Sequence, residues 1–187
     1  MLSMSVADCK KRLFEVIKTQ AFFKGDFTLS SGKKSNYYLD ARLVTLSAEG
    51  AFLCGKLMRD AVKKHAPTAI GGPTLGADPM VGAIGAVSFL EREPVKTFII
   101  RKEAKGHGKG RMVEGPELTA ADRIVVIDDV ATTGKAFIHS IDALAQDGLK
   151  PVACVCIIDR RDGAKEAVAA RGVELISLFT ADEFLTS

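Results

Sequence analysis

The sequence is poor in the features of a metal centre, a membrane span or a secreted fold. Its four cysteines, Cys9, Cys54, Cys154 and Cys156, form no CxxC pair and stand at no Cys/His ligand spacing, which argues against a structural zinc site. Cys154 and Cys156 alternate within the apolar run Val152–Ile158, a pattern that puts both thiols on one face of a strand. All four read as small buried hydrophobes of a reducing compartment. No apolar run approaches the ~18 residues that span a bilayer. Met1–Lys11 lacks the parts of a secretory signal. These absences lead to the expectation of a soluble, cytoplasmic protein without membrane partners. The net charge, +3, is too small to point to nucleic acid as a partner. The chain shows neither an internal repeat nor a low-complexity segment, and neither a Walker A sequence nor a dinucleotide fingerprint.

What remains is an ordinary globular composition, 47% hydrophobic and 26% charged. With 187 residues the chain can bury one good core but is short for two, so a single domain over 1–187 is expected. Val6–Phe22 has near-helical apolar spacing, with Ser3 or Ser5 available as a cap. Phe27–Leu29 and Asn36–Arg42 flank a polar turn and read as two short strands. A second helix, capped by Ser47, is expected to run to about Lys64, followed by a strand over Ala69–Gly72 and a helix over Pro79–Leu90. Strands at Thr97–Ile100, Ile124–Asp128, Val152–Ile158 and Val173–Phe179 then alternate with helices at Gly134–Gln146 and Gly163–Ala170. Apolar strands separated by helices imply an α/β fold with a mostly parallel sheet covered on both faces. Right-handed crossovers place all the strand C-termini along one ligand-binding edge.

The most specific signal is Arg123–Ala136, RIVVIDDVATTGKA. An apolar strand leads to two carboxylates, Asp128 and Asp129, and a small polar turn then opens a helix. The first backbone N–H groups of a helix lack internal partners, and the helix dipole favours an anion in front of them. Thr132 and Thr133 add hydroxyl donors, and Gly134 permits close approach of the backbone. Two acids cannot be phosphate ligands; they suit the cis-diol of a ribose or a hydrated Mg²⁺. The bland alternative is a capped helix beside solvated acids.

This run resembles the motif by which type I phosphoribosyltransferases bind phosphoribosyl pyrophosphate (PRPP). The resemblance implies that Asp128 and Asp129 hold the ribose hydroxyls. It also implies that Val130 binds PRPP, that Ala131, Thr132, Thr133, Gly134, Lys135 and Ala136 cradle the 5′-phosphate, and that the fold has a small hood built mainly from residues 1–42.

A second stretch, Lys102–Pro116, has no apolar periodicity and many cations. Long irregular connections in compact domains are functional or disordered. The aromatic interleaving of a single-strand binder is absent, whereas a cationic lid suits the charge that builds on a departing pyrophosphate. The segment Arg101–Gly108, RKEAKGHG, resembles the catalytic loop of orotate phosphoribosyltransferases at Arg101, Lys102, Lys105 and His107. That likeness implies a homodimer whose sites are shared through the 101–111 loop. Lys102 would serve its own subunit and Arg101, Lys105 and His107 the partner's, with Lys105 catalytic beside Asp128 and Asp129.

Phe27–Arg42, FTLSSGKKSNYYLDAR, resembles the same family's N-terminal signature. Tyr37 and Tyr38 point to opposite sides of a strand, so one of them is expected in the core or an interface. The family likeness gives Tyr38 to the base. Orotate carries a carboxylate, and Arg160, past a strand end, is the expected bidentate clamp, with Thr132 beside it; a surface arginine paired with Asp159 or Asp162 is the alternative. The turn Gly71–Asp78 is either a pyrophosphate nest or a buried connection. Ser30 and Thr74-Leu75 depart from lysines that some relatives carry. Mg²⁺ is the implied cofactor, held mainly by PRPP rather than by protein ligands. Two rivals stand against this reading: a purine phosphoribosyltransferase, which should lack RKEAKGHG, and a PRPP-sensing regulator that binds RNA or DNA, which should show a basic stripe beyond the loop.

Overall fold

The computed structural model describes residues 4–28, 34–103 and 112–186. Helix α1 (Val6–Gln20) starts at Ser5, whose hydroxyl accepts the Asp8 N–H, and it buries Cys9, Leu13, Val16 and Ile17. Strands β1 (Phe22–Thr28) and β2 (Lys34–Leu39) form an antiparallel hairpin. β1 begins earlier than the sequence pattern suggests because the Phe22 ring stacks on Tyr37 at 5.0 Å rather than continuing the helix. β2 ends earlier, where Asp40 accepts the Arg42 N–H and a short helix α2 (Arg42–Thr45) begins.

Helix α3 (Ala48–Ala61) is capped by Ser47, as expected, and a 3₁₀ turn at Lys63–His65 takes up the rest of that segment. Then follow β3 (Ala69–Pro73), α4 (Asp78–Leu90), β4 (Lys96–Ile100) and a two-residue β5 (Val113–Glu114). After these come β6 (Ile124–Ala131), α5 (Lys135–Gln146), β7 (Pro151–Asp159) and α6 (Ala164–Ala169). β8 (Glu174–Thr180) and α7 (Ala181–Leu185) end the fold.

The main sheet has the order β5-β4-β3-β6-β7-β8, parallel throughout except for the antiparallel β4–β5 pair. Alternation divides its side chains between two cores. Val125 and Ile127 of β6 join Ala153, Val155 and Ile157 of β7 beneath α1, α3 and α4. Val126, Cys154 and Cys156 face the other way, against Phe137, Ile141 and Leu144 of α5 and Val168 of α6. Both thiols of β7 therefore lie on one face, as the alternation requires. Burial pushes the Cys154 thiol up to about 12.

The strand order reverses between β3 and β6. Chain connections run away from each other there, and a crevice opens at the strand C-termini. Two turns flank that crevice: residues 74–77 after β3 and residues 132–134 after β6.

Candidate active site

β6 carries Asp128 and Asp129 inside its paired length, because the ladder with β7 runs on to Val130↔Ile158 and Ala131↔Asp159. The acids are thus held in an extended strand rather than in the turn beyond it, which corrects the expected end of this strand at Asp128. Each carboxylate accepts one backbone N–H from its successor: Asp129 N–H to Asp128 Oδ1 at 2.9 Å, and Val130 N–H to Asp129 Oδ1 at 2.7 Å. Burial, and then the Asp129 charge beside it, drive Asp128 well above the usual carboxylate range. Asp129 is also raised by burial, while the Val130 N–H and the Arg42 guanidinium oppose the shift. Two carboxyls this close titrate as a pair, and the pair favours a nearby cation or hydroxyl donors.

After the pair, Gly134 takes a left-handed backbone (φ 80°) and opens α5 without any side-chain cap. A Cβ there would meet Ala164 and Ala167 at 3.2 Å, so glycine serves both the turn and the contact with α6. Thr133 is exposed and Thr132 half-buried at the same helix mouth. Across the crevice, the β3–α4 turn is so close that a Cβ on Gly76 would lie 2.9 Å from Asp129 Oδ1. In that turn the Thr74 N–H bonds the Ile100 carbonyl and the Ala77 N–H bonds the Pro73 carbonyl, so neither can serve a ligand. The Thr74–Leu75 peptide is cis.

Between the two turns lies an open cleft of about 590 Å³. Asp128, Asp129, Val130, Lys135, Ala136 and Lys102, six of the expected residues, line it together with the β3–α4 turn. Arg42 and His139 also line it, and sequence reasoning passed over both. Arg42 is the last residue of the family-like stretch Phe27–Arg42, and its pairing with Asp40 at 3.0 Å leaves it within electrostatic reach of Asp129. His139 comes one helical turn after Lys135, at the spacing that shares a helix face.

Ala131, Thr132, Thr133, Gly134, Arg101, Tyr38 and Arg160 do not line the cleft itself. Arg101 turns its guanidinium towards Glu114, 3.7 Å away. Tyr38, 40% exposed, packs against Phe27 at 5.7 Å and lies within electrostatic reach of Arg42. Tyr37 is the core member of the pair, as the alternation required. The Arg160 side chain is only 11% exposed, so it is not a surface arginine. The Arg160 backbone N–H bonds the Ala131 carbonyl at 2.8 Å, which ties it to the β6–α5 turn, and its guanidinium lies 4.6 Å above the Tyr37 ring. Asp162 stands 3.9 Å from Nε, a distance too long for a hydrogen bond, and buried Nε has no hydrogen-bond partner among the described residues. Asp159, the other offered partner, instead accepts the Arg161 N–H. Lys105, His107 and Arg111 of the cationic segment lie outside the described residues, as does Ser30. Among the described residues no three His, Cys, Asp or Glu side chains converge as metal ligands.

A parallel sheet with an acidic pair and an uncapped helix mouth at its switch point defines a class, and the sequence comparison agrees with it. Residues 46–185 match the family model of the phosphoribosyl transferase domain. Within that class the chain belongs to the orotate phosphoribosyltransferase family. It is 41% identical over 175 residues to the orotate phosphoribosyltransferase of Synechocystis sp., covering 94% of this chain and 88% of that one. It is 40% identical to the Aquifex aeolicus orotate phosphoribosyltransferase, covering 94% and 97%. Among solved structures, the Mycobacterium tuberculosis orotate phosphoribosyltransferase in complex with Fe(III) dicitrate superposes with a TM-score of 0.83 at 34% identity, covering 94% and 98% of the two chains. The same enzyme in complex with PRPP gives 0.79 at 31%, with the same coverage. An adenine phosphoribosyltransferase from Leishmania donovani, at 17% identity and a TM-score of 0.63 over 91% and 80% of the chains, shares the fold alone.

Proposed function

We propose that this protein transfers the 5-phosphoribosyl group of PRPP to orotate, giving orotidine 5′-monophosphate and pyrophosphate in pyrimidine (UMP) biosynthesis. The observation that carries this glycosyltransferase reading is the acidic pair at the mouth of an uncapped helix, in one cleft with Lys102 and Lys135. The 5′-phosphate lies before α5, where residues 131–136 supply backbone donors and the threonine hydroxyls. The ribose then reaches back to Asp128 and Asp129, which accept hydrogen bonds from its hydroxyls.

The bond from C1 to the pyrophosphate oxygen breaks with both electrons leaving on the pyrophosphate. The orotate ring nitrogen forms the new bond from the opposite face, and its readily lost proton passes to solvent. No strong base is needed; positioning and electrostatics supply the rate. The cleft carboxylates stabilise the positive ribose, and Lys102, with Arg101, Lys105 and His107, receives the charge that leaves. Arg160 clamps the orotate carboxylate, a role supported by its buried Nε, which has no hydrogen-bond partner among the described residues. Thr132 and Tyr38 complete the base site beneath a hood formed by the β1–β2 hairpin. Mg²⁺, held mainly by PRPP, fits beside this donor set: two carboxylates that repel each other would be relieved by a hydrated cation that they meet only through its waters. When bound with PRPP, the ion supplies charge neutralisation to the pyrophosphate.

The sites are shared within a homodimer, through the 101–111 loop. The exposed apolar side of α4, where Phe89 is 75% and Leu90 61% exposed next to Ala86, supports association with a second copy. No described helix is long and apolar enough to cross a membrane. The four buried free thiols suit a cytoplasmic, reducing setting. The test is loss of orotate absorbance on addition of PRPP and Mg²⁺, with uracil and hypoxanthine as controls. Consumption of hypoxanthine but not orotate would overturn the assignment of the base.

A further inference from the structure

We propose that His139 is a positioning residue for this transfer, fixing the Arg101–Lys102 peptide against α5 and so setting where Lys102 presents its ammonium. The proposal rests on the phosphoribosyl-transfer reading and adds a residue to it. His139 Nε2 lies 3.0 Å from the Arg101 carbonyl oxygen. A carbonyl only accepts, so Nε2 carries the hydrogen, and the bond is the same in the neutral Nε2–H tautomer and in the imidazolium. The Arg101 N–H is already spent on the Met112 carbonyl at 2.9 Å. Both backbone groups of Arg101 are therefore held, one by the strand-end pairing and the other by α5.

This bond joins two parts of the site that the chain brings from far apart. Lys135 and His139 share a face of α5, the helix whose mouth receives the 5′-phosphate. Lys102 is the residue immediately after the gripped carbonyl. All three line the same cleft. The Arg101 side chain is turned towards Glu114, so His139 acts on the backbone and not on the guanidinium. A transferring phosphoribosyl group is held at one end by the helix and met at the other by the lysine. The distance between those anchors then depends on whether the Arg101–Lys102 peptide is fixed, and small misplacements of charged groups cost rate steeply.

The test compares steady-state kinetics and thermal unfolding of the intact protein and its His139→Leu, His139→Gln, His139→Asn, Lys102→Ala and His139→Leu/Lys102→Ala variants. Wild-type turnover of orotate with PRPP is the reference; its absence would remove the underlying reading rather than the role of His139. Loss of this one hydrogen bond in His139→Leu is expected to lower kcat/KM for PRPP about fivefold, with little change in the unfolding temperature. Glutamine places an N–H near the same carbonyl and should recover most of the loss, whereas the shorter asparagine should not. In the Lys102→Ala background, His139→Leu should have almost no further effect, because the two act in series. Wild-type kinetics in His139→Leu, or additive losses in the double variant, would overturn the proposal. If His139→Leu does not fold, equal rates for the asparagine and glutamine variants would do the same.

Discussion

Gly76 stands so close to Asp128 that a Cβ on it would lie 2.8 Å from the carboxylate Oδ1. The acid cannot simply swing aside, since it is buried and its Oδ1 is held by the Asp129 N–H. Gly76→Ala is therefore expected to displace the acidic pair or the β3–α4 turn, on opposite walls of the cleft. The expected result is a kcat/KM for PRPP lowered at least about tenfold, the order of a small misplacement of catalytic groups. Orotate binding at Arg160 should be spared. Isothermal titration with each substrate separates the two effects; undiminished PRPP affinity and rate would show that the cleft absorbs a methyl at this point.

The acidic pair also gives the protein a pH-dependent stability. An unfolded aspartate titrates near ~3.9, and in the fold both acids are raised, by burial first. A raised folded-state value means that the native state holds protons more firmly than the unfolded chain. The resulting stability is complete below the ordinary carboxylate range and is lost as pH rises through the folded-state values. Above the ordinary carboxylate range the ligand-free protein thus bears the cost of keeping this acidic pair buried. Asp128→Asn should raise its unfolding temperature by about 2–4 °C while abolishing turnover, and the gain should vanish near about pH 4. Addition of PRPP and Mg²⁺ should stabilise the wild type and not the variant. A fall in the variant's ligand-free stability at neutral pH would contradict the cost assigned to the pair.

Most of the sheet was legible in the sequence because its central strands β3, β6 and β7 are apolar runs buried on both faces. The parts that were not legible depend on partners distant in the chain. β5 has two residues and exists only through its pairing with β4. α7 is short, but its Thr180–Glu183 capping box was available to be read, and Phe184 seals it by stacking on Phe14 at 4.5 Å. The acidic pair and the helix mouth were readable because one contiguous stretch contains them. Arg42 closes the family-like stretch without being marked out in it, His139 lies in no such stretch, and only the crossing of elements brings them to the cleft. For His139, its spacing from Lys135 was the one available hint.

The two adjacent tyrosines should separate cleanly by experiment. Tyr37 is 8% exposed, stacks on Phe22 and carries the Arg160 guanidinium on its ring; Tyr38 is 40% exposed. Tyr37→Leu should cost about 2–3 kcal/mol of stability through lost packing and cation–π contact. It should also raise KM for orotate by loosening Arg160. Tyr38→Leu should cost less than about 1 kcal/mol, as exposed substitutions do, and should act on the base site alone. Arg160→Lys keeps the charge but loses the planar fork, so KM for orotate should rise about tenfold or more with PRPP kinetics nearly unchanged. Urea unfolding and initial rates with each substrate varied provide the measurements. Equal stability losses for the two tyrosines would refute the division between core and site.

Sharing of sites between subunits makes the sharpest prediction, because it concerns which polypeptide supplies a group. Lys105→Ala alone should reduce kcat strongly with PRPP binding comparatively intact, and Asp128→Asn alone should be inactive. In a heterodimer of the two, the site on the Lys105→Ala chain keeps its own Asp128 and receives Lys105 from the other chain. The second site lacks both groups. Purified heterodimers carrying two different affinity tags should then show about half the wild-type turnover, one working site in each closed two-fold dimer. If Lys105 acts within its own chain, each site lacks one group and the heterodimer stays as poor as its parents. Verified heterodimers without recovery would confine the cationic loop to its own subunit and leave the dimer a structural assembly only.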